Sequence, residues 1–164
     1  MARNAGNDLP DPQSYPELFD GLLKRRMFAY VIDLLILAFI VSAVMVLGLV
    51  AGIVTLGLAL PALVFAVPVS IVGYYALTLG SQKRATVGMS MMDIVLTPTR
   101  GQPLDGWRAF AHPLVFWITC WVLAPFSLMV ALFTPRRQML HDLIVGVLMV
   151  RRSPMDRHWS SEAI

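Results

Sequence analysis

The chain has 164 residues, 57% of them hydrophobic and 14% charged, with a mean hydropathy of +0.70. Soluble domains carry about 25% charged residues, so this composition excludes an ordinary soluble domain and points to a one-domain, all-α membrane protein without a separate catalytic module. The net charge of +3 does not call for nucleic acid: the basic residues flank apolar runs, as anchors facing the bilayer and its anionic headgroups do.

Residues 1–20 form a polar N-terminal tail broken by Pro10, Pro12 and Pro16. They lack the apolar core and small-residue cleavage site of a secretory signal, so the first membrane helix is expected to target the chain itself. At the end of this tail, residues 16–23 read as a short interfacial helix: Pro16 suits a first helical position, and Leu18, Phe19, Leu22 and Leu23 supply an apolar face.

Lys24, Arg25 and Arg26 precede a run of 53 residues, 27–79, whose single charge is Asp33. As one helix the run would extend ~80 Å, against a hydrocarbon core of ~30 Å. It is therefore expected to fold back at Gly48, Gly52 and Gly57, giving helices over 26–50 and 58–79, the second bent at Pro61 and Pro68. A carboxylate at the bilayer centre costs roughly 2.5–3.5 kcal/mol on insertion scales, so Asp33 needs a use or a partner.

Residues 82–108 form a polar connector, with a short strand expected over 91–96 and a turn at 98–101 prolonged by Gln102 and Pro103. The third apolar segment, 109–134, is long enough to span once. Spanning would put Arg136, Arg137, Arg151 and Arg152 outside, against the positive-inside tendency. The charges thus favour a re-entrant hairpin breaking near Pro125. Residues 138–145 suggest a short amphipathic helix. Residues 146–150 suggest a strand that could pair with 91–96 on the cytoplasmic side, and 153–164 a disordered tail.

Arg26, Ala29 and Asp33 share one helix face, with Asp33 ~10 Å deeper than Arg26. They form an ion or proton site, or a structural charge network. Likewise His141 and Asp142 form a proton relay or a local pair for Arg25, Arg26, Arg136 or Arg137. Met89, Met91 and Met92 suggest copper(I) by softness, but no Cys or His lies nearby in sequence, and packing is the better reading. His112 and His141 have no haem-ligand spacing. Cys120, the lone cysteine, cannot form an intrachain disulfide. No metal, cofactor or catalytic nucleophile is expected.

Three segments resemble the RDD family, named for one arginine and two aspartates. The opening signature is similar to Arg25-Arg26-Met27-Phe28-Ala29-Tyr30-Val31-Ile32-Asp33, the central one to Thr86-Val87-Gly88, and the closing one to Arg137-Gln138-Met139-Leu140-His141-Asp142. The resemblance makes Arg26, Asp33 and Asp142 the naming residues and 21–152 the membrane domain. Where the family usually has lysine, a glycine and arginine, this chain has Met89, Asp93 and His112. The resemblance implies a small multi-pass protein of the bacterial inner membrane with its N-terminus in the cytoplasm. Two roles are expected. One is a transporter or ion-exchange subunit, working as a homo-oligomer or with a partner. The other is a non-catalytic accessory or assembly subunit of a larger membrane complex.

Overall fold

A computed structural model describes residues 10–97 and 104–159, the side chains at 120, 121, 124, 125 and 128 excepted. The turn expected at 98–103 lies outside these residues.

A 3₁₀ turn at Pro16–Leu18 leads through Gly21 into helix α1, Leu22–Val54, which beyond Arg26 is apolar all round except for Asp33 and contains no proline. It is longer than the 26–50 expected at both ends. Leu22 is buried in the core, so the chain becomes α-helical there instead of forming a separate interfacial helix.

The reversal after α1 is built from three residues. Thr55 donates its hydroxyl to the Ala51 carbonyl and accepts the Ala59 amide. Leu56 and Gly57 follow with positive φ, 53° and 95°. A second 3₁₀ turn, Leu60–Ala62, then opens α2, Leu63–Leu79, which returns along α1. Gly48 and Gly52 make this approach possible, because Leu63 and Leu60 occupy the space where their β-carbons would be. Pro16–Val54, which contains α1, and Leu60–Leu79, the second 3₁₀ turn together with α2, are each long and apolar enough to cross a membrane.

A small cap sits against the charged end of the hairpin. Helix α3, Val87–Met91, precedes strand β1, Ile94–Thr97. Helix α5, Leu140–Val145, precedes strand β2, Leu148–Arg151. The strands pair antiparallel, Ile94 opposite Arg151 and Thr97 opposite Leu148. Side chains alternate between the faces of a strand. Ile94, Leu96 and Met149 accordingly pack toward α1 and α2, while Val95, Leu148 and Val150 pack on Leu18 and Met155. Both faces of this short sheet are covered.

The third apolar segment is helix α4, Gly106–Phe133, started by the Asp105 carboxylate, which accepts the Arg108 amide. Leu123 interrupts it with non-helical φ −133° and ψ 29°. The arms fold back. His112, in the first arm, bonds Asp142, while Thr134, just past the second, bonds the Gln138 carbonyl, and the Met139 amide bonds Asp142. A straight helix would hold residues 112 and 134 ~33 Å apart, which these bonds to one short segment forbid.

The expected disordered tail is corrected over its first part. Helix α6, Arg152–Trp159, buries Pro154 and Met155, and His158 contacts Glu17 at 2.5 Å. Pro154, Met155 and Trp159 are too sparse a pattern to announce a helix, but the Leu18 side of the sheet gives them a surface to cover.

Candidate functional site

Asp33 lies on α1 where α3 abuts it and is 6% exposed. Its Oδ1 accepts the Tyr74 hydroxyl at 2.5 Å and the Gly88 amide at 2.8 Å, and its Oδ2 accepts the Thr86 hydroxyl at 2.5 Å. Thr86 is also the N-cap of α3, accepting the Met89 amide. The carboxylate therefore sits at a helix N-terminus, where unpaired amides and the helix dipole favour negative charge. All three of these partners are uncharged. Gly88 permits the approach: a β-carbon there would clash with the Ala29 carbonyl and lie 2.9 Å from the Asp33 side chain.

Arg25 and Arg26 take separate tasks. Arg25 Nη1 donates to the Met92 carbonyl, the C-cap of α3, at 2.8 Å. Arg26 Nη1 pairs with Asp142 Oδ2 at 2.5 Å, across 116 residues of sequence. The expected triad is thus divided in space: Arg26 joins Asp142, and Asp33 keeps its own donors. Arg136 and Arg137 lie outside the network; Arg136 donates to the Pro10 carbonyl and Arg137 to the Leu132 carbonyl.

Asp142 is fully buried. Its Oδ2 also accepts the Met139 amide at 2.9 Å, capping α5. Its Oδ1 meets His112 Nε2 at 3.0 Å and His141 Nε2 at 3.3 Å. Burial opposes ionisation of Asp142, but the Arg26 charge and the two imidazoles hold its carboxyl well below the usual range. Burial, with Arg26 and His112 nearby, pushes His141 down to about 4 against the pull of Asp142, so it is neutral at physiological pH.

The two clusters face one cavity of about 420 Å³, bounded by Arg26, Asp33, His112, Ser127 and His141 and otherwise mainly apolar. Tyr74, Thr86 and Gly88 carry no charge, so a search for charges passes over them; the signal for the last two was their place in the Thr86-Val87-Gly88 signature. His112 was visible as a departure from the family pattern and as a histidine without haem-ligand spacing, not as a partner of Asp142. Ser127 had no signal.

A family model, RDD family, matches residues 21–146. The chain belongs to the RDD family. In this RDD protein the arginine and both aspartates are buried, and each fastens α1 to the cap or to α5. Membership and two apolar helices fit a small membrane protein. No curated protein and no solved structure matches the chain.

The departures from the family pattern are informative. Asp93, in place of glycine, holds a positive φ of 58°, a region that aspartate tolerates better than most residues. Its carboxylate accepts the Ser153 amide and hydroxyl and pairs with Arg151 at 3.2 Å. Burial raises its pKa, but these partners outweigh burial and lower it. Met89 is buried beside the cavity.

Proposed function

We propose that this RDD protein is a non-catalytic accessory subunit of a larger bacterial inner-membrane complex, its charges serving to hold a cytoplasmic cap on a membrane hairpin. The supporting observation is the satisfaction of Asp33. A carboxylate offers about four acceptor positions, and Tyr74, Thr86 and Gly88 already fill three. A site that exchanges a cation or proton needs open positions or mobile partners.

In this reading α1 and α2 cross the bilayer, and Lys24, Arg25, Arg26, Lys83 and Arg84 keep both hairpin ends cytoplasmic. The arms of α4, 106–122 and 124–133, lie at and well below the ~17-residue lower limit of a span. They re-enter, which returns Arg136 and Arg137 to the cytoplasm. Irregular backbone at Leu123 then requires protein or water around it.

The test combines three measurements on the wild type and Asp33→Asn. An accessory role predicts reduced folded yield in mild detergent, loss of a co-purifying partner complex, and no cation- or pH-dependent flux by the wild type in proteoliposomes. The second reading, a transporter or ion-exchange subunit, is favoured by the cavity that Asp33 borders. It predicts wild-type flux that Asp33→Asn abolishes at normal yield, and that outcome would replace the first reading.

A further inference from the structure

We infer that His112 Nε2, His141 Nε2 and Asp142 Oδ1 form a binding site for a divalent transition metal of the zinc class. This goes beyond the accessory role and does not depend on it.

The geometry is that of convergent ligands. The three ligand atoms lie within 4.8 Å of one another, and all three residues are buried. The histidines come from α4 and α5 and direct the same ring nitrogen at the same carboxylate oxygen, with ring centroids 5.0 Å apart. Two imidazoles and one carboxylate are a borderline donor set that suits zinc and cobalt better than calcium or magnesium. Three protein ligands with a fourth position open is a recurrent zinc arrangement. Here His112 and His141 border the cavity, which supplies room for the fourth ligand and a route in.

The surroundings prepare each ligand. Asp142 Oδ2 is held by Arg26 and the Met139 amide, so the carboxylate is oriented with Oδ1 toward the imidazoles; second contacts of this kind fix metal ligands elsewhere. In the metal-free chain Asp142 Oδ1 accepts the Nε2 protons of both histidines, and His141 Nδ1 has no hydrogen-bond partner among the described residues, so it is open to take a proton. On binding, both Nε2 protons pass to the Nδ1 positions of their rings, and the two Nε2 lone pairs take the metal.

Electrostatics limit the affinity. Asp142 is shared with Arg26, which leaves the metal charge only partly compensated locally; Asp33, on the same cavity, supplies a second negative charge. A buried charge without compensation is costly.

The test uses the full chain in detergent, stripped with a chelator and titrated with Co²⁺ and then Zn²⁺. One Co²⁺ per chain is expected, with the visible absorption of a four-coordinate site, displaced by one Zn²⁺. His112→Gln and His141→Gln should each weaken binding at least tenfold, while the metal-free melting temperature moves little because Arg26–Asp142 remains. X-ray absorption of the zinc-loaded wild type should count two imidazoles, a readout that needs no variant. Substoichiometric binding, fewer than two imidazoles, or variants that bind as well as the wild type would each overturn the site.

Discussion

Arg25 and Asp33, eight residues apart on α1, hold opposite ends of the same five-residue helix: Arg25 takes the Met92 carbonyl at the C-terminus of α3, and Asp33 takes Thr86 and the Gly88 amide at its N-terminus. A helix this short has little stability alone. The two charges complement its dipole and fix it across α1, which sets the position of β1 and hence of the sheet.

Gly88→Ala should prise α3 from α1. The added carbon meets the Ala29 backbone as well as Asp33, and backbone cannot swing aside. Overpacking of this kind costs about 1–3 kcal/mol. Thermal melting in detergent checks it; a change under about 0.5 kcal/mol, the size of a surface effect, would contradict the close approach.

Removing one partner of Arg26–Asp142 should be severe. Arg26→Ala leaves a buried carboxylate, and Asp142→Asn a buried guanidinium; losses of about 3–5 kcal/mol follow from an uncompensated charge. Arg26→Met with Asp142→Leu should cost less than the sum of the single changes. Chemical denaturation of all variants in one detergent gives the coupling, and simple additivity would show that the pair is not one unit.

Stability should fall as pH drops. In the folded cap His141 has its pKa lowered to about 4, whereas unfolded histidine titrates near 6.5. Between these values the unfolded state binds more protons, so this residue's contribution is lost from about pH 6.5 down to about 4, at up to ~1.4 kcal/mol per pH unit. Asp142, also depressed, extends the loss to lower pH. Melting temperature against pH, compared between wild type and His141→Gln, isolates the first part; identical slopes would count against it.

Asp93→Gly trades one gain for one loss. Glycine relieves the positive φ but removes the bonds to Ser153 and Arg151. Helix α6 should loosen while the rest of the fold holds. Limited proteolysis between Arg152 and Trp159 should accelerate several-fold, with little change in melting temperature.

A cysteine placed at Arg136 reports on α4. A fold-back at Leu123 predicts labelling from the cytoplasm in right-side-out vesicles only after permeabilisation. Labelling of intact vesicles would mean that α4 crosses the bilayer.

The hairpin and the strand pair were legible because they rest on long-range pattern: a 53-residue apolar run far longer than one span, and two short β-rich stretches set among the charged segments. The partners of Asp33 were not. They are the Tyr74 and Thr86 hydroxyls and the Gly88 amide: nothing in an apolar run marks which tyrosine faces a carboxylate, and the Thr86-Val87-Gly88 signature does not say what it binds. The convergence of His112 on Asp142 was hidden for another reason, since it follows from the bend at Leu123. Helix α6 is amphipathic only relative to a surface that Tyr15, Leu18, Phe19 and the sheet create together.

The 116-residue separation of Arg26 and Asp142 also orders events in time. Asp33 can find Tyr74, Thr86 and Gly88 once the first ninety or so residues have left the ribosome. Asp142 emerges later by more than fifty residues, a delay of several seconds at ~5–20 residues per second. Until then Arg26 waits without its carboxylate, so the contacts of Asp33 can form first and the closing bond requires that the chain has been made through α5.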